Sequence, residues 1–158
     1  MRTLVLGLGN PILRDDGVGL HVVDALQPQL SNADHIVVDK DYWGGLRLME
    51  RMIGFDRAII IDAICTSQQQ PGTLMQLSVD SIPTQRSASA HDVNLPTALE
   101  FGRSAGAHLP DNENIHLIGI EAEDILTFDE GLSPAVKDAV PAAVDLVMTV
   151  LSKEIVKS

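Results

Sequence analysis

Asp16, Asp62 and His91 are the side chains of this sequence whose types, taken together, suit metal-assisted chemistry. Two carboxylates and an imidazole offer oxygen and nitrogen donors for nickel, zinc or another transition ion. Asp16 stands where a first predicted strand gives way to a helix, and Asp62 ends the most apolar strand. His91 lies near a predicted helix start, after a polar loop. In an open α/β sheet such junctions converge outside the carboxyl ends of neighbouring strands. The three are too far apart in sequence to form a dedicated metal spacing, and each has a plainer role. Asp16 could cap a helix, Asp62 could pin a loop, and His91 could cap locally or face solvent.

Other groups carry weaker chemistry. Cys65 with His91 and Asp92 would make a nucleophile, a base and an orienting acid, although Cys65 reads more simply as a small loop residue. The segment GLGNPILRDDGVG places Gly7 and Gly9 after a strand, as a dinucleotide-binding turn would. Ile12 stands where that fingerprint requires its third glycine, and no Gly-Lys-Ser/Thr follows. The glycines then serve tight backbone paths between strand and helix. Asp39 and Asp41, after the second strand, suit either peptide orientation or turn hydrogen bonding. Glu121, Glu123 and Asp124 read as a polar connection after the last strand, while His21, His108 and His116 have no catalytic context.

The elements that must position these groups follow from hydrophobic patterning. Leu4 to Leu8, His35 to Val38, Arg57 to Asp62 and Ile115 to Ile120 read as strands, with Leu74 to Leu77 following a Pro71-Gly72 turn. Val18, Val22, Ala25 and Leu26 recur at helical spacing, and Asp15 or Asp16 is expected to cap that helix. Leu46 to Ile53 forms a short helix, and His91 to Gly102 a longer one despite Pro96. Pro134 opens the last, with Val136, Val140, Val144, Val147 and Leu151 as its core stripe. Residues 81–90 are expected to form a mobile loop. Strands alternating with helices predict an α/β fold in a single domain spanning residues 1–158: three layers, a twisted, mostly parallel central sheet, and helices on both faces.

Composition narrows the function classes. Hydrophobic residues make up 45% of the 158 and aromatics only 3%, so the core rests on aliphatic side chains. A net charge of −11 argues against a general phosphate-binding surface while leaving room for a local basic patch, and no nucleic-acid partner is expected. No apolar run is long enough to anchor the chain in a membrane, and the start lacks a signal-peptide cleavage pattern. One cysteine cannot form an intrachain disulfide, which agrees with a reduced, cytoplasmic protein.

The ordered motifs resemble those of the hydrogenase maturation endopeptidases. They are Gly7-Leu8-Gly9-Asn10, Asp15-Asp16-Gly17-Val18-Gly19, Asp39 with Asp41-Tyr42-Trp43-Gly44-Gly45-Leu46, and Ile59-Ile60-Ile61-Asp62-Ala63. Pro71-Gly72-Thr73, Ser89-Ala90-His91-Asp92, Gly119-Ile120-Glu121 and Leu132-Ser133-Pro134 extend the resemblance over nearly the whole chain. The resemblance implies removal of a short C-terminal extension from the immature large subunit of a nickel-containing hydrogenase, after metal insertion. It makes Asp16, Asp62 and His91 the catalytic, nickel-contacting positions, with nickel presented by the substrate. Whether the free protease holds a metal of its own, and whether it self-associates, stay open. Asp16 replaces a common Glu, Asp41-Tyr42-Trp43-Gly44 departs from an Asp-Gly-Gly-Thr-like turn, and Ala122 stands where relatives often carry Pro. The alternative reading is a metal-responsive binding protein in hydrogenase assembly without proteolysis; a nucleotide-dependent enzyme is more distant.

Overall fold

Apolar runs separated by amphipathic ones dictate the order of elements. The computed structural model describes residues 1–42, 44–81 and 94–156. The chain forms β1 (Thr3–Leu8), α1 (Val18–Leu30), β2 (Ile36–Asp41), α2 (Leu46–Met52), β3 (Arg57–Ile64) and β4 (Leu74–Leu77). It continues through α3 (Leu95–Ser104), β5 (Ile115–Glu121) and α4 (Pro134–Leu151). Short 3-10 turns lie at Arg14–Gly17, Val79–Ser81 and Asn112–Asn114.

The five strands make one sheet in the order β2-β1-β3-β5-β4. β1 pairs parallel with β2 and β3, β3 parallel with β5, and only the edge strand β4 runs antiparallel. Every residue of β1 and β3 is buried, as strands covered on both faces require. Side chains alternate across the sheet. Val5, Ile59, Ile61, Ile118 and Ile120 pack with α1 and α4 on one face. Leu4, Leu6, Ala58, Ile60 and Ile115 pack with α2 and α3 on the other. The expected three layers and mostly parallel sheet are present. Among the described residues no helix is long and apolar enough to cross a membrane.

Several boundaries differ from the sequence expectation. β2 runs on to Asp41, because its parallel register with β1 continues to the Leu8–Asp41 pair, so Asp39 and Asp41 are strand residues. β3 continues past Asp62 to Ile64, and β5 includes Glu121, because these two residues are themselves register partners. α1 continues through Pro28 to bury Leu30. Asn94 starts α3 by accepting a hydrogen bond from the Thr97 N–H at 3.0 Å. Pro96 then falls in the first turn, where a missing N–H costs nothing. In α4 the buried stripe is Val136, Ala139, Ala143, Val144, Val147 and Val150, with Val140 and Leu151 half-buried. The loop expected over 81–90, apart from Ser81, lies outside the described residues, as do His91 and Asp92.

Candidate active site at the carboxyl ends of β1 and β3

From β1 the chain crosses by α1 to β2 over one face, then returns by α2 to β3 over the other. The crevice between the carboxyl ends of β1 and β3 is therefore the switch point of the sheet, where α/β folds bind ligands. Asp16 and Asp62 both arrive there, from the turn after β1 and from β3.

Gly9 and Asn10 bend the chain out of β1. Gly9 has φ +150°, and a Cβ there would collide with the Asp16 carbonyl, so the turn needs glycine. The Asn10 side-chain oxygen accepts from the Ile12 N–H at 3.1 Å, and the Asn10 N–H donates to Asp16 Oδ2 at 2.8 Å. Asp16, only 7% exposed, thus closes the turn that presents it. It does not cap α1. The 3-10 turn runs directly into the helix, and the Val18 N–H bonds to the Asp15 carbonyl instead. Arg14 opens that turn at φ +40°, a conformation disfavoured for a side-chain-bearing residue. Its N–H donates to the Asp129 carbonyl at 2.8 Å and its guanidinium to the Asp129 carboxylate at 3.2 Å, holding it there.

Asp15 points the other way. With 0% exposure, its carboxylate accepts from the Glu123 N–H at 3.0 Å and the Asp124 N–H at 2.9 Å. It also accepts from the Ser133 N–H at 2.8 Å and the Ser133 hydroxyl at 2.6 Å. Adjacent aspartates therefore divide their work: Asp15 ties the turn to the β5–α4 connection, and Asp16 is presented at the sheet edge.

Asp62, 8% exposed, follows Ala58 and Ile60 on the α2/α3 face of β3. Its partner on β5 is Gly119, so that strand sends no side chain alongside the carboxylate. Glu121 was expected in a polar connection, yet it is 1% exposed on β5. Its carboxylate accepts from the Thr66 N–H, at 3.0 Å to Oε2, and from the Thr66 hydroxyl, fixing the segment after β3. Between these acids sits half-buried Cys65. Burial pushes its thiol pKa up, and the carboxylates of Glu121, Asp16, Asp62 and Asp15 push it further. This field disfavours the thiolate and so argues against cysteine nucleophilic catalysis.

Beside the Asp16 turn, a cleft of about 380 Å³ is lined by Gly9, Pro11, Asp39, Asp41, Arg47 and Arg51, among others. Asp41 anchors it: its carbonyl accepts the Gly9 N–H at 3.1 Å and its carboxylate accepts the Arg47 Nε–H at 3.2 Å. Arg51 donates to Asp39 and lies 3.8 Å from Asp41. Partial burial pushes the Asp39 carboxyl up, but the hydrogen bond from Arg51, the Lys40 amide and the two cations together hold it below the usual value. Sequence reasoning singled out the acids of this cleft and missed its arginines, whose i, i+4 spacing on α2 was the available signal.

Asp16 and Asp62 are anionic oxygen donors of the kind a transition ion accepts. Among the described residues no group of three or more His, Cys, Asp or Glu forms a metal-holding cluster. His91, the third expected donor, lies outside those residues. His21, in the first turn of α1, is exposed with Nε2 3.3 Å from the Glu130 carbonyl, and His108 pairs with Asp56 at 3.0 Å.

Residues 20–150 match the family model described as "HycI: Hydrogenase maturation protease". The hydrogenase 2 maturation protease of Escherichia coli is 31% identical over 153 residues, covering 96% of this chain and 91% of that protein. The hydrogenase expression/formation protein HupD of Rhizobium leguminosarum is 30% identical, covering 95% of this chain and 74% of its own length. Among solved structures, the hydrogenase maturating endopeptidase HybD from E. coli superposes with a TM-score of 0.76 at 31% identity, covering 96% and 92% of the two chains. The [NiFe] hydrogenase maturation protease HybD from Thermococcus kodakarensis gives 0.67 at 28% identity, covering 97% and 100%.

Proposed function

This chain belongs to the hydrogenase maturation protease family, and from that premise we propose that it is an endopeptidase acting on the immature large subunit of a nickel-containing hydrogenase. It removes the C-terminal extension once nickel has been loaded, in the cytoplasm. The observation that carries this reading is the arrival of Asp16 and Asp62, two nearly buried carboxylates from different elements, at the switch-point crevice of the sheet.

Nickel enters this reaction with the precursor. Asp16, Asp62 and His91 are the residues that would meet it. The anionic oxygens of Asp16 and Asp62 match its positive charge, and His91 adds a nitrogen donor. The metal's chemistry at such a site is either polarisation of the scissile carbonyl or activation of a water. The chain's own contribution is to hold the two carboxylates in fixed places. Asn10 and Gly9 set Asp16, while β3, paired on both sides, sets Asp62. Metal-free precursor would bring no cation to these acids, which makes cleavage a checkpoint on loading. Exposed Ile12, Leu126 and Phe128, on the two segments that Asp15 and Asp129 join, suit a macromolecular substrate.

Intact-mass measurement of nickel-loaded and nickel-free precursor, before and after incubation, tests this directly. Loss of one defined C-terminal peptide from the loaded precursor alone is the expected result. Asp16→Ala, Asp62→Ala and His91→Ala should each slow it by at least about 100-fold with the circular dichroism spectrum unchanged. A stable complex with loaded precursor but no product would instead select the non-proteolytic assembly role.

A further inference from the structure

Arg47 is an arginine whose polar partnership is incomplete, placed at the mouth of the cleft beside the Asp16 turn. Its side chain is 51% exposed, and Asp41 is its one hydrogen-bond partner among the described residues, through Nε. A guanidinium carries five N–H donors in a planar fork. One is engaged with Asp41, and those on the terminal nitrogens remain. The neighbouring cations differ. Arg51 is engaged by Asp39 and Asp41, and the Lys40 ammonium by Asp24 at 2.6 Å. Asp41 is itself nearly buried and fixed at both ends, its carboxylate also accepting the Tyr42 N–H at 2.8 Å. Arg47 is therefore held on one edge by a rigid carboxylate, with its other donors toward the cleft.

We propose that this cleft is a carboxylate-binding subsite for the precursor's C-terminal extension, with Arg47 as its anchor. The inference rests on the precursor-processing reading. A C-terminal extension ends in an α-carboxylate, and an acidic side chain near that end presents the same group. A planar guanidinium fork matches a carboxylate with two parallel N–H···O bonds. The whole molecule carries a net charge of −11, so capture of such a group depends on a local cation, which Arg47 supplies. The cleft shares Gly9 with the turn that carries Asp16, and a Cβ on Gly9 would meet the Asp16 carbonyl. A chain end held at Arg47 thus lies beside the turn that carries Asp16. Arg47 is in this account a specificity residue, touching the tail of the substrate rather than the reacting bond.

The test measures processing of loaded precursor by wild type, Arg47→Gln and Arg47→Lys, alongside anisotropy binding of a synthetic peptide with the extension's sequence. Arg47→Gln should raise KM about tenfold, with the loss falling on KM rather than kcat, and Arg47→Lys should recover part of it. Two altered tails identify the source of the carboxylate: one amidated at its terminus, the other with its acidic side chains changed to Asn or Gln. Whichever alteration removes the recognised group should weaken wild-type binding to the Arg47→Gln level and make Arg47→Gln itself silent. Equal effects of Arg47→Gln on all tails, or none on any, would overturn the proposal. Peptide binding is read without cleavage, so a wild type that processes no precursor overturns the protease reading and leaves this measurement to decide the subsite.

Discussion

Asp15 shows how burial decides between two identical neighbours. Its four acceptor contacts reach residues more than a hundred positions away, and its side chain is fully buried. Replacing it with Ala would strand the Ser133 hydroxyl and three backbone N–H groups at a buried seam. Each unsatisfied donor costs roughly 1–3 kcal/mol. Asp15→Ala should therefore lower the free energy of unfolding by about 3 kcal/mol or more, read as a reduced urea midpoint. Asp15→Asn keeps the shape and one acceptor oxygen, and should lose less. Asp16→Ala gives up the bond from the Asn10 N–H, a partly buried contact between residues six apart in the chain. Its cost in stability should be about 1 kcal/mol while its cost in processing is far larger. The opposite ranking of these variants in stability and activity would refute the division of labour between the two residues.

At the scale of elements, the placement of Asp16 depends on how closely α1 approaches the sheet. A Cβ on Gly19 would stand 2.6 Å from the Leu8 carbonyl oxygen and closer still to that of Ile61, and one on Gly7 would strike Val23 at 2.7 Å. The two glycines let the first turn of α1 lie against the backbone of β1 and β3. Gly19→Ala must push the helix outward, since the atoms met are backbone and cannot rotate away. Overpacking of this kind costs about 1–3 kcal/mol. The displaced helix start should also carry Asp16 with it, so Gly19→Ala should lower both the melting temperature and the processing rate. At the opposite end of the sheet, buried Arg57 donates to the Lys153 carbonyl at 2.7 Å and the Val150 carbonyl at 3.3 Å. A cation there favours the carbonyl-rich end of α4, keeping the structural charge away from the acidic edge.

For the molecule as a whole, acidity sets the pH response. Half-buried His116 is held below its ordinary value of 6.5, by burial first and then by the charges of Arg57 and Lys153. The unfolded chain therefore takes up a proton near that value while the folded chain resists it. The stabilisation is full above 6.5 and is lost as pH falls through the folded value. Asp39 and Asp56 are held below 3.8 and act in the same direction further down. For Asp39 the Arg51 bond and the neighbouring cations overcome partial burial; for Asp56 the Arg2 amide leads. Urea midpoints measured from pH 8 to 3 should fall in two stages, below about 6.5 and again below about 4. His116→Gln should flatten the first stage and leave the second; an unchanged first stage would assign it to other groups.

The order of elements, the largely apolar β1 and β3, the helical stripes of α1 and α4 and the glycine-bounded turn after β1 are all legible in the sequence, because each follows from local periodicity and residue conformation. The family resemblance is legible too, since it lies in the order of short motifs. Tertiary structure alone decided that β4 joins antiparallel beyond β5, that β2 extends to Asp41, and that Glu121 is buried rather than solvated. It also decided which of Asp15 and Asp16 is structural, and brought Arg47 to the cleft beside the Asp16 turn. These outcomes depend on partners brought together across the chain, such as the 118 positions between Asp15 and Ser133. A periodic pattern reports which face of an element is apolar, whereas the occupant of a carboxylate's hydrogen bonds is settled only when distant segments pack.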